Sequence, residues 1–344
     1  MARKRKWLLG VGLVAGVVVA AVGGYAATHW TELRAAYAAR QLRNAATDEE
    51  RAKAAASLAS LGEPGLTQLT DFVATGDEPR RAACVAALER LLADAPEGDP
   101  RPAAAGARLL AAFPACNADG QRAILAMLPA VLAKSGGAHA APCRETVAGG
   151  LKLADPASRV LAVRLAMHPE VRMRPDVVPL MTDPAAEVRR AALFAVATTT
   201  EGDLVGDEEL FRWLHDADEG VRRVCRDALV SRGRTDAEIT LGGRLVAPDP
   251  RERLKLLLDL RYDDDVADPE PWLERLSRDP EPAVRAGAAR VAIEVTTRQR
   301  QTCPAWVARV AEADADATVR RVATYFHRAA APQPDPNVRP AGKR

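Results

Sequence analysis

The sequence predicts an all-α chain, built as an array of stacked helix pairs behind an N-terminal transmembrane helix. Three observations predict it. Apolar residues make up 48% of the 344 residues while aromatics make up only 4%. A long uncharged run lies near the N-terminus, and an Asp-headed motif occurs six times from residue 155 onward.

Composition sets the class. The apolar fraction is mostly Ala, Leu and Val. Ala and Leu are strong helix formers, and Ala lets helices approach closely. A sandwich or barrel would need more β-branched and aromatic residues. The formal charge of +2 includes the four cations Arg3, Lys4, Arg5 and Lys6, which leaves residues 7–344 at −2. That near-neutral body argues against a nucleic-acid binder.

Residues 7–27 carry no charge. As a helix they would span about 31 Å, close to the hydrocarbon thickness of a bilayer. The cations of residues 1–6 should stay in the cytoplasm, which puts everything after residue 27 across the membrane. Trp7 at one end, and Tyr25 and Trp30 at the other, suit the two interfaces. A cleaved signal peptide is the alternative, with Gly24-Tyr25-Ala26 as a small-x-small site. The apolar run exceeds the usual signal-peptide length, which favours an uncleaved anchor. Gly12 and Gly16 form a G-x-x-x-G pair that could support a weak homodimer.

The motif starts at Asp155, Asp183, Asp216, Asp249, Asp279 and Asp314, at steps of 28 to 35 residues. Five residues on stands an apolar residue: Val160, Val188, Val221, Leu254, Val284 or Val319. In five cases a cation follows: Arg189, Arg222, Lys255, Arg285 or Arg320. The Asp is expected to cap a helix, and the Pro that often follows suits its first turn. Apolar residues then recur three and four apart, giving one buried stripe. A shorter amphipathic segment precedes most caps. Two helices per repeat, stacked side by side, make an α-solenoid.

With these residues the chain resembles the HEAT-repeat family, in the short form seen in phycobilisome-lyase-like repeats. The carrying residues are Asp183, Pro184, Val188, Arg189, Ala191 and Ala192, repeated as Asp279, Pro280, Val284, Arg285 and Ala288. The likeness is strong over residues 155–329. It weakens upstream, where Gly76 to Cys84 keeps the theme with fewer residues between Asp and Arg. The resemblance implies a structural ladder between adjacent repeats, formed by Asp183, Arg189, Asp216, Arg222, Asp279 and Arg285. An arginine row gripping an acidic partner is the functional alternative.

The expected plan is a basic cytoplasmic N-terminus (1–6), a signal-anchor helix (7–27) and a helical stalk (28–46). Degenerate helical repeats (47–154), HEAT-like repeats (155–329) and a Pro-rich disordered tail (330–344) follow.

No catalytic motif is evident. The histidines His29, His139, His168, His215 and His327 are scattered, and no H-E-x-x-H, C-x-x-C or G-x-S-x-G pattern occurs. His168 and His327 suit helix C-terminal ends. The acidic stretch Asp263-Asp264-Asp265 with Asp268 and Glu270 lacks the alternation and turn glycine of a calcium loop. Cys84 and Cys225 read as core filler. Cys116 and Cys143 stand 27 residues apart at helix boundaries, and a disulfide there would contribute about 3 kcal/mol. Trp213, Trp272 and Trp306 read as core residues rather than binding hot spots.

The expected function is thus a membrane-anchored, extracytoplasmic scaffold or adaptor that binds a protein partner, with no catalysis, cofactor or metal. In a Gram-negative host the repeats would be periplasmic. A bilin-lyase-like enzyme or chromophore-attachment helper, which the resemblance allows, and a cleaved soluble periplasmic binding protein are the alternatives.

Overall fold

The computed structural model describes residues 29–135, 137–197, 204–262 and 268–330. The expected anchor with Gly12 and Gly16, the run Asp263-Asp264-Asp265 and residues 331–344 lie outside the described residues. The described residues form helices and turns without a strand. None of their helices is long and apolar enough to cross a membrane. The chain divides into two compact units at residues 199 and 200.

The first unit holds α1 (Trp30–Asn44), α2 (Asp48–Ala59), α3 (Gly62–Thr75), α4 (Glu78–Asp94), α5 (Pro100–Ala112), α6 (Ala118–Ser135), α7 (Ala140–Gly150), α8 (Pro156–Ala166) and α9 (Ala186–Ala197). Between α8 and α9 the first member of a pair is a 3-10 segment, Arg174–Thr182. Pro179 inside it explains this, since it removes an N–H that an α-helix would use. The first helices follow one another, α1 on α3, α3 on α5 and α5 on α7. The second helices do the same, α2 on α4, α4 on α6, α6 on α8 and α8 on α9.

α1 covers most of the expected stalk but packs as the first helix of a pair. Ala35, Ala38, Ala39 and Leu42 are buried against α2 and α3. Its four apolar contacts at helical spacing account for that, and they leave the opposite face open.

The second unit holds α10 (Asp207–Trp213), α11 (Glu219–Ser231), α12 (Asp236–Leu245), α13 (Pro250–Tyr262), α14 (Glu270–Leu276), α15 (Pro282–Gln299), α16 (Ala305–Ala313) and α17 (Ala317–Ala330). Here α13 packs on α15 and α15 on α17. Leu256, Leu273, Val284, Ala288 and Trp306 belong to its core. Each fully buried Leu or Val contributes about 1.5–3 kcal/mol. Trp272 is half-buried, its ring 6.4 Å from that of Phe211. Trp213 is also half-buried, so the three tryptophans fill space around the helix pairs.

Close approach between successive first helices depends on a missing side chain. A Cβ on Gly242 of α12 would stand 2.3–2.5 Å from ring carbons of Phe211 on α10. Gly242→Ala should therefore destabilise the second unit by about 1–3 kcal/mol through overpacking. Thermal unfolding with a companion Phe211→Leu in the same chain checks it: the second change should restore most of the loss.

Candidate functional site

The feature that recurs through both units is an arginine at the fourth residue of the second helix. It is Arg51, Arg81, Arg159, Arg189, Arg222, Arg253, Arg285 or Arg320, with Gln121 holding the place in α6. In most of them one guanidinium nitrogen, Nη1, donates to the two carbonyls six and five residues upstream. Arg159 does so to Leu153 and Ala154 (2.7 and 2.8 Å), Arg189 to Asp183 and Pro184 (2.8 and 3.1 Å), and Arg222 to Asp216 and Ala217 (2.7 and 2.9 Å). Arg253, Arg285, Arg320 and Arg51 repeat the pattern. These carbonyls lie where one helix ends and the next begins, so they lack intrahelical donors. The arginine closes the turn between the two helices.

The rest of the fork reaches the following pair. Arg159 Nη2 donates to Asp183 at 2.8 Å. Arg253 meets Asp279 through Nε (2.6 Å) and Nη2 (3.0 Å), and Arg285 meets Asp314 through Nε (2.8 Å) and Nη2 (3.0 Å). Both partners are largely buried in each rung. In the first unit, Arg81 is buried and donates to Gly76 carbonyl (2.5 Å) and to Oδ1 of Asn117 (3.3 Å), the residue that caps α6; Ala115 stands where other rungs have a carboxylate. The hydrogen bonds from Arg285 hold the Asp314 carboxyl below its ordinary pKa. Its stabilisation is therefore present above the unfolded carboxyl's pKa and lost as pH falls through the lowered folded value.

The geometry corrects the expected ladder in two respects. The motif aspartates Asp183, Asp216, Asp279 and Asp314 do not cap the helix itself. Each accepts from the N–H two residues on, at 2.8 or 2.9 Å, and stands two residues before the helix boundary. At two of these starts the cap is Asp218 or Asp316, bonded to Val221 N (2.9 Å) and Val319 N (3.1 Å). Asp155 is a helix cap, bonded to Ser158 N at 3.0 Å, so it occupies the later of the two places, as does Asp249 immediately before α13. Aligning all six aspartates thus shifts two repeats by two residues. The cation expected at Lys255 is exposed and pairs with Glu252, while Arg253 makes the rung. Arg159, Arg253 and Arg81 were missed for this reason. Their signal was present: an arginine four residues after the capping position at Asp77, Asp155 and Asp249.

One interior rung lacks its acceptor. Two residues before Asp249, where Asp183, Asp279 and Asp314 stand in their own repeats, the residue is Ala247. Arg222 keeps its two carbonyls, but among the described residues its Nε and Nη2 meet no carboxylate. Arg222 is half-buried and lines a groove of about 630 Å³ between α11 and α12. Arg223, Arg226 and Arg244 share that groove with Glu219 and Asp227. Arg226 pairs with Asp236 at 3.2 Å and Arg244 with Asp259, whereas Arg223 is exposed and has no ion pair among the described residues. His215 Nε2 is 2.7 Å from Gly243 carbonyl at one end.

A second groove, of about 620 Å³, lies in the first unit between α5 and α7, lined by Leu110, Phe113, His139, Pro142, Thr146 and Leu153 among others. Among the described residues, no cluster of three His, Cys, Asp or Glu side chains is placed to hold a metal ion. His139 Nε2 bonds Ala103 carbonyl at 2.8 Å, and His168 Nδ1 accepts from Glu170 N at 3.4 Å just past the end of α8. His327 is exposed in the last turn of α17.

The expected disulfide is absent. Cys116 and Cys143 are both free thiols. Cys116 Sγ donates to Ala112 carbonyl at 3.2 Å, and Cys143 is sealed inside α7's packed face. Burial pushes the Cys143 thiol up to about 11 and those of Cys84 and Cys225 up to about 12.

No protein-family description and no curated protein matches this chain.

The thiols supply a direct check. Titration of denatured, unreduced chain should count five. In the native chain Cys84, Cys143 and Cys225 should stay unreactive at neutral pH, because the thiolate is the nucleophile and burial suppresses it. A count of three in the denatured chain would restore the disulfide.

Proposed function

We propose that this chain is a HEAT-type α-solenoid held at a membrane by residues 7–27, with its helix pairs on the extracytoplasmic side. In this reading it works as a non-catalytic scaffold or adaptor for a protein partner. The observation that carries the reading is the recurrent arginine clamp. A clamp at the same place in successive helix pairs requires a repeated unit, and a stacked repeat presents extended surface rather than one enclosed pocket. The two open grooves are surface of that kind.

The open face of α1 supports the tether. Trp30 is 58%, Leu33 45% and Tyr37 65% exposed, one above another at helical spacing. Arg34 and Arg40 flank them and are exposed too. Aromatic rings with neighbouring cations favour the membrane–water interface, and Trp30 lies three residues after the end of the apolar run.

Fractionation of the native host, with protease added from outside, tests this. An intact membrane-bound chain whose helix pairs are cut from outside and whose first residues are protected is the expected result. A soluble exported chain lacking its first residues would transfer the reading to the cleaved binding protein. A soluble cytoplasmic chain would contradict both and reopen the lyase-like alternative.

A further inference from the structure

We propose that the groove between α11 and α12 binds an acidic segment of the partner protein, whose carboxylate completes the rung that Ala247 leaves open. The proposal rests on the scaffold reading and adds the partner's chemistry and its place on the chain.

The neighbouring rungs define what Arg222 lacks. Arg253 and Arg285 each hold a carboxylate side-on, one oxygen on Nε and one on Nη2, while Nη1 is committed to the turn carbonyls. Arg222 has the same commitment of Nη1, so its Nε and Nη2 are held by the same turn geometry. A fork fixed in this way loses little further entropy on binding a carboxylate, and bidentate Arg–carboxylate pairs are among the strongest polar contacts.

The other gaps in the ladder lack both halves or are filled by a nearby group. Where Leu153 stands two residues before the Asp155 cap, the preceding repeat has Gln121 instead of arginine. Arg51 turns its Nε and Nη2 to Asp48 on its own helix. Arg320 belongs to the last described pair. Arg81 faces Ala115 at the corresponding place, but its fork is met by Glu78 and Asn117; at Ala247, among the interior pairs whose contacts are described, the arginine is retained and no nearby group replaces the acceptor.

The surroundings select the ligand. Arg223 adds an exposed guanidinium without an ion pair among the described residues beside half-buried Arg222, while Arg226 and Arg244 are paired with Asp236 and Asp259. Leu214 and Ile239 supply apolar lining, which suits a side-chain-bearing peptide.

The test uses the full chain in detergent and a fluorescein-labelled octaglutamate peptide, read by anisotropy. Saturable binding is expected, weakened at least tenfold by Arg222→Gln and several-fold by Arg223→Gln, with Arg328→Gln as the charge-matched control that leaves it unchanged. Ala247→Asp is the decisive variant: it should supply the missing acceptor, raise the melting temperature and abolish peptide binding together. No saturable binding by wild type, or equal binding by wild type, Arg222→Gln and Ala247→Asp, would overturn the proposal. In-cell crosslinking separates the two readings. Partner capture that persists in Ala247→Asp keeps the scaffold and removes this groove; loss of capture in that variant supports both.

Discussion

A guanidinium at the fourth residue of the second helix, present in every pair but the one with Gln121, is the contact on which the helix pairs depend. It does two jobs that a single-point cation could not combine. One nitrogen satisfies the carbonyls left bare where the first helix stops, and the others reach an acceptor in the next pair. The turn and the stacking are thereby set by one side chain. Burying such a charge is unfavourable unless its donors are met, so each arginine constrains the sequence on both sides of it. The recurring pair of carbonyls, the Asp two residues before the helix boundary and the cap itself all follow from that demand.

Within these constraints the apolar positions are undemanding. Ala, Leu and Val at helical spacing fill the space between helices, and small residues set how near the helices come. Gly242 facing the Phe211 ring shows the limit: the first helices of neighbouring pairs touch where a Cβ has no room. In the second unit one apolar core joins successive pairs through Leu256, Leu273, Val284 and Trp306. A change at one rung acts locally, and a groove can be altered without disturbing distant pairs.

Much of the helical architecture was legible in the sequence. The composition and the spacing of Val188, Ala191, Ala192 and Ala195 specify helices with one buried face. The Asp-Arg pairing was legible as well, but its register was not. Asp155 and Asp183 look alike in sequence, yet one caps a helix and the other stands two residues earlier and accepts from the preceding repeat's arginine. Aspartate serves both places, because an Asx turn and a helix cap need the same carboxylate. Arginine serves only one, so alignment on Arg81, Arg159 and Arg253 would have found the upstream repeats and shown α1 to be part of the first pair. Ala247 could not be singled out before the register was known, since an alanine is conspicuous only where an aspartate belongs. The free thiols of Cys116 and Cys143 were equally hidden: sequence separation gives the length of a loop and not the direction of its side chains.

The most direct test of the clamp is amide hydrogen exchange in the Arg285→Lys variant, read at the start of α15 and at α17. Lysine keeps the charge but cannot fork between the Asp279 and Pro280 carbonyls and the Asp314 carboxylate. Loss of such charge-assisted hydrogen bonds corresponds to about 1.5–3 kcal/mol, roughly a ten- to 150-fold gain in exchange at both places. Exchange that rises at both would support the account. Exchange within about threefold of wild type, close to no change on that scale, would show that apolar packing alone holds the pairs together.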